Sequence, residues 1–175
     1  SRVPSDSTNV ERPGWGPSEI KVSEGLRKVF NEAPGRVLLT TFASNIHRMQ
    51  QVYNVAAETG RKVAVVGRRM EQNIDVCSRM GYITIPKGVR INLDEMRQYP
   101  ADKLVVLTTG SQGEPMSALV QMSKGEYGRL QIVAGDTVIY SARPIPGNEA
   151  AIWRTVNRLF RQGATVIYES PTPIH

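Results

Sequence analysis

From Arg36 onward, short β-branched and aliphatic runs closed by Gly or Pro alternate with longer segments whose apolar residues recur at helical spacing. That alternation constrains the chain more than any other feature, because strand and helix taking turns is the pattern of βαβ units and a mostly parallel sheet. Strands are expected at 37–41, 62–66, 104–107, 130–133, 137–140 and 164–168, with a short extended piece at 82–85 ended by Pro86. Ile46, Met49, Tyr53, Ala56 and Ala57 make one apolar stripe that Gly60 stops, and 68–80 also reads as helical. A helix is expected to begin at Pro115, since proline suits a first helical position. A further helix at 149–162 carries Ile152, Val156, Leu159 and Phe160 on one face and ends at Gly163. The fold class that follows is α/β, a mostly parallel sheet with helices on both faces, Rossmann-like in its winding. A loop-rich stretch at 6–17 leads into one more helix at about 18–31.

At 175 residues with 40% hydrophobic and 22% charged residues, the chain has the composition of one globular domain. Its longest apolar runs, 63–66 and 104–107, fall far short of the roughly 18 residues a bilayer requires. No membrane partner is therefore expected. A single cysteine, Cys77, cannot form an internal disulfide and reads as a buried helical thiol, so a reducing cytoplasm is the natural compartment. Net charge +6 and a pI near 9.7 favour polyanionic partners without identifying one.

In open α/β sheets ligands bind beyond the carboxyl ends of the strands, and three of the turns placed there are unusually polar. In the first, residues 41–48, Ser44 or Asn45 would cap a helix whose free amides and positive dipole end face the crevice. The second, 108–115, has glycines that let the backbone approach a ligand and hydroxyls that can donate to oxyanions. It is not a Walker loop, since no GK[ST] follows. The third, 141–149, is a stiff turn ending in a cap. Only His47 and His175 are present, with no Cys or Asp/Glu cluster around them at metal-ligand spacing, so neither a closed metal site nor a Ser-His-Asp triad can be assembled. The residues alone give an α/β phosphate-binding module.

Taken together, Ser5-Asp6-Ser7-Thr8-Asn9, the segment 41–48, the run Thr109-Gly110-Ser111-Gln112-Gly113-Glu114-Pro115-Met116 and Pro144-Ile145-Pro146-Gly147-Asn148-Glu149 form a recognisable pattern. The chain resembles the β-CASP domain of the bacterial ribonuclease J family over nearly its whole length, with the motifs in the family's order. The resemblance implies a domain, here 1–175 with junction segments at 1–12 and 171–175, inserted into a metallo-β-lactamase domain, with RNA clamped between the two. It implies a zinc-dependent 5′-3′ exoribonuclease and endoribonuclease acting in RNA processing and decay, with two zinc ions in the intact parent and none in this piece, which is expected to be inactive alone. Asp6 matches the aspartate that bridges the zinc ions from the metallo-β-lactamase side, whose HxHxDH partners are not in this sequence. Glu19 matches an acidic residue supporting a catalytic histidine, a position a first-turn glutamate also favours for the helix dipole. Ala43, Ser44, Asn45 and His47, together with Gly110, Ser111, Gln112, Gly113 and His175, are the implied RNA-phosphate residues. The implied ligand is single-stranded RNA with a 5′-monophosphate, and the resemblance leaves room for homo-oligomers of the parent. Arg48, Arg68, Arg69 and Arg143 could follow an RNA backbone, and for each a solvated basic face is the alternative. The rival reading is a self-standing sugar-phosphate or nucleotide-binding α/β domain.

Overall fold

The structure, a computed structural model, describes residues 17–169; Asp6, His175 and both junction segments lie outside them. The elements run α1 (Pro17–Glu32), β1 (Val37–Thr40), α2 (Ile46–Thr59), β2 (Lys62–Val66), α3 (Arg68–Arg79), β3 (Leu104–Thr108), α4 (Ala118–Ser123), β4 (Thr137–Tyr140), α5 (Glu149–Arg161) and β5 (Thr165–Tyr168). The five strands form one sheet in the order β2-β3-β1-β4-β5, and every neighbouring pair is parallel.

Alternate residues of each strand enter different cores. Val37, Leu39, Val63, Val65, Val105 and Leu107 pack against Leu26 and Phe30 of α1, Met49, Val52 and Tyr53 of α2, and Met70 and Ile74 of α3. Leu38, Ala64, Val66, Val106 and Val138 face the other way, onto Leu119 and Met122 of α4 and Ile152, Val156 and Leu159 of α5. Burial on both faces is why these strands read as unbroken apolar runs rather than as alternation.

Five local expectations fail. Residues 130–133 form no strand, because their backbone is taken by side chains: Arg36 donates to the Gln131 carbonyl (2.7 Å) and the Val133 N–H donates to Asp136 (2.9 Å). Residues 82–85 pair with no strand either; Tyr82 and Ile83 donate back to the Cys77 carbonyl, and Gln50 brackets Thr84 by both its N–H and its C=O. The helix expected from Pro115 begins at Ala118, with Ser117 as its cap residue in extended geometry, so proline lies in the preceding turn. Phe160 is 48% exposed and belongs to the outer side of α5, not to its core face. Two short 3-10 turns, Leu93–Gln98 and Ala101–Lys103, also fill the span between α3 and β3. Cys77 is only half-buried.

Two cations, Arg36 half-buried and Arg61 buried, tie the sheet's amino-terminal edge together. Arg36 makes a bidentate pair with Asp136, at 2.9 and 2.6 Å, across the β1–β4 neighbours. Arg61, only 2% exposed, donates to the carbonyls of Phe30, Ala33, Gly35 and Leu104, at 2.9 to 3.1 Å. It thereby satisfies acceptors that the end of α1 leaves open. Burial lowers its pKa, an effect the neighbouring Asp102 opposes.

Burial also pushes the Tyr53 phenol up to about 12, Arg90 opposing and Asp75 reinforcing it, and raises Tyr140 and Tyr168 as well. Below a pH of roughly 10 the Tyr53 phenol is neutral in the folded and unfolded chain alike. Above it the unfolded chain releases the proton first, so folded stability falls as pH rises through the window ending at about 12, by roughly 1.4 kcal/mol per decade for that residue. Phenolate absorbance and circular dichroism followed together should show Tyr53 ionising only with unfolding. Ionisation of Tyr53 in a still-folded chain would contradict this.

Candidate functional site

The chain leaves β1 toward the face of α2 and leaves β3 toward the opposite face, that of α4. Adjacent strands whose connections diverge open a crevice at their carboxyl ends. A cleft of about 890 Å³ lies there, lined by residues following β1 (Thr41, Phe42, Ala43, Ser44), β2 (Gly67, Arg68, Arg69) and β3 (Thr109, Gly110), with Tyr127 and Arg129 at its side.

Of the first polar turn, Ala43 and Ser44 reach the cleft, and Ser44 is exposed. Asn45 is the helix cap: its Oδ1 accepts the Arg48 N–H at 3.0 Å, while its Nδ2 donates to Thr41 at 3.4 Å. The neighbouring residues therefore divide the work, with Asn45 closing the helix and Ser44 presenting a hydroxyl. Asn73 of α3 holds the turn by donating to the Ala43 carbonyl (2.7 Å). His47 is half-buried in the first turn of α2 and does not line the cleft.

In the second turn Gly110 alone of the four expected residues lines the cleft, with Thr109 and Glu114 beside it. Ser111 and Gln112 are buried, at 2% and 5% exposure. The Gln112 amide is a strut to the third turn: it donates to the Arg143 carbonyl (3.0 Å) and accepts from the Ile145 N–H (2.8 Å) and the Asn148 amide (3.3 Å). Gly113 adopts φ 72°, and a Cβ there would lie 2.7 Å from the Ala151 carbonyl carbon in the first turn of α5. Residues 111–113 thus stay out of the cleft, and the turn returns to it at Glu114. Arg48 is committed as well, paired with Glu169 and Ser141 and donating to Gln51 (2.6 Å), so it is not available to an RNA backbone. Glu19 sits in the first turn of α1, where its side chain accepts from Ser18 (2.8 Å) and its carbonyl from Gln51 (2.9 Å).

Charges around the cleft balance formally, with Arg68, Arg69 and Arg129 against Glu71, Asp75 and Glu114. Pairing breaks the balance. Glu71 faces Arg129 (3.8 Å), Asp75 pairs with Arg90 (2.8 Å), and Glu114 accepts the Gln112 N–H (2.9 Å). Arg68 and Arg69 remain exposed, without an ion pair among the described residues, at the start of α3, whose cap residue Gly67 offers no side-chain acceptor. A cationic corner unpaired among the described residues and an uncapped helix start therefore line the same cleft as Ser44.

Sequence reasoning missed the last rung of the sheet. Thr40, Tyr140 and Tyr168 are consecutive partners across β1, β4 and β5, and their hydroxyls have no hydrogen-bond partner among the described residues. Threonine and tyrosine at three strand ends was the available signal. Among the described residues no group of three His, Cys, Asp or Glu side chains is gathered to hold a metal, so they offer zinc no donor set.

The family model for the β-CASP domain of ribonuclease J matches residues 34–159. Ribonuclease J of Synechocystis is 47% identical over 98% of this chain and 27% of its own length. That of Thermus thermophilus is 44% identical over 97% of this chain and 30% of its own length, and that of Helicobacter pylori 43% over 98% and 25%. The chain thus spans about a quarter to a third of the length of these curated relatives. A self-standing sugar-phosphate domain is not favoured by these matches.

Proposed function

Because the chain belongs to the ribonuclease J family, to the part described as its β-CASP domain, we propose that it is the RNA-binding part of an RNA-processing ribonuclease. The parent would be a metal-dependent phosphodiester hydrolase with 5′-3′ exonuclease and endonuclease activity in cytoplasmic RNA processing and decay. Its two zinc ions and the attack on phosphate would belong to the metallo-β-lactamase part, to which Asp6 would contribute. This chain would bind and orient single-stranded RNA carrying a 5′-monophosphate. The observation that supports this reading best is the cleft, which Ser44 lines together with Arg68 and Arg69, both without an ion pair among the described residues. A phosphate dianion gains most from such charge-assisted donors, which position a strand without reading its sequence. Gly110 lets the opposing backbone come close, and His175 would add a donor from beyond the described residues.

The division of labour between Ser44 and Asn45 supplies the test. Asn45→Ala removes a cap and is expected to cost about 0.5–2 kcal/mol of stability with little effect on 5′-end preference. Ser44→Ala in the intact parent is expected to leave stability unchanged and reduce the preference for 5′-monophosphate over 5′-hydroxyl RNA. The reduction should be roughly 10- to 150-fold, the equivalent of a charge-assisted bond of about 1.5–3 kcal/mol. Competition binding with the two RNAs and thermal melting of both variants measure it. An unchanged preference in Ser44→Ala would remove the terminal phosphate from this cleft.

A further inference from the structure

Helix α5 presents an outer side that the cleft does not use. Trp153 and Phe160, 40% and 48% exposed, stand seven residues apart and hence on one line along the helix, about 10 Å apart. Beside that line run Arg154, Arg158 and Arg161, spaced four and three residues apart, so they form a second row on the solvent side. None of the three arginine side chains makes a hydrogen bond or ion pair with the described residues, unlike those of Arg27, Arg36, Arg48, Arg61 and Arg90. The sole acid of the helix, Glu149, is occupied at its first turn, accepting the Gly147 N–H at 2.7 Å.

We propose that this face of α5 is a second contact surface for single-stranded RNA, the two aromatic rings stacking on bases while the arginine row neutralises phosphates. The inference rests on the reading of the chain as an RNA-binding domain, and it concerns a surface outside the cleft. Interleaved aromatic and cationic side chains match a strand that offers a flat π-face and a charge at every nucleotide. Three guanidiniums without a partner among the described residues, on a chain of net charge +6, favour a polyanion as the occupant. Position agrees with this occupant. Gly113 packs on Ala151 and Ile152 of α5, and Glu114 and the 82% exposed Met116 of the same turn line the cleft, so the helix begins at the cleft's rim. A strand held in the cleft can leave over that turn and continue along α5.

The sequence has two tryptophans, Trp15 and Trp153, so a Trp15→Phe chain reports from α5 alone. Titrating it with a short oligouridylate should quench Trp153 fluorescence, with a midpoint that weakens as salt rises. Trp153→Ala in the unaltered chain should weaken binding of the same oligonucleotide by roughly 5- to 150-fold, and Trp153→Phe should largely restore it. Arg154→Ala combined with Arg161→Ala should flatten the salt dependence by roughly 0.7 per arginine removed, with an unchanged melting temperature. Binding that leaves Trp153 fluorescence and the α5 variants unaffected while Arg68→Ala weakens it would overturn the α5 surface and leave the cleft reading standing. Absence of any binding at low salt would remove both. Sedimentation showing self-association, with Trp153 fluorescence following protein concentration rather than RNA, would assign the face to a second copy and overturn the proposal.

Discussion

Replacing Arg61 by methionine is expected to cost the domain at least about 3 kcal/mol. The side chain is replaced by one of similar length, so the cavity term is small, and the loss comes from hydrogen bonding. Carbonyls of Phe30, Ala33, Gly35 and Leu104 lose their donor together, each stranded buried acceptor costing about 1–3 kcal/mol before relaxation. Opening of the α1 end to water recovers part of that sum. Against a typical domain stability of about 5–15 kcal/mol the variant is left marginal. Arg61→Lys should fall between, because one ammonium cannot reach acceptors arranged around a planar fork. Urea unfolding with an unchanged slope measures the loss, and the exposed Arg143→Met, expected within about 0.5 kcal/mol of the parent chain, is the control. A loss below about 1 kcal/mol for Arg61→Met would show that water replaces the guanidinium.

The second large effect is catalytic. The chain alone is expected to bind single-stranded RNA yet give no detectable turnover of 5′-monophosphorylated RNA. Activation of water by a metal at neutral pH needs several converging imidazole or carboxylate ligands. The described residues bring no three such side chains together, and the whole sequence contains two histidines. Zinc added in excess should therefore not raise the rate above background, while RNA binding by fluorescence anisotropy stays intact. Turnover by purified chain that a chelator abolishes would mean that residues outside 17–169 complete a metal centre within this chain.

What was legible in the sequence follows from distance along the chain. The strands at 37–40, 62–66 and 104–108 announce themselves because a doubly covered strand must be apolar at every position. Ser44 and Gly110 were legible for a related reason: they follow those strands, and a parallel sheet sends its turns to one edge. The strand wrongly expected at 130–133 had the right composition, but its backbone partners are the side chains of Arg36 and Asp136, and no local pattern records that. Arg48 read as a free cation because Ser141 and Glu169 lie 93 and 121 residues further on. Gln112 looked like a donor to ligand, and only the approach of the third turn makes it a strut.

The strand order also sets a timetable for folding. β1 lies at the centre of the sheet between β3 and β4, while β2, the next strand made, stands one place away with a gap left between them. A chain emerging amino end first thus holds two apolar strands and their helices with no strand pairing possible between them in the native order. Val37 waits for Val105 and then for Thr137. Such long-range closure slows folding and leaves unpaired strand edges open to other chains in the interval. Synthesis that pauses before β3 should accordingly yield a nascent chain that aggregates or holds a chaperone, whereas a pause after β4 should find the three central strands already joined.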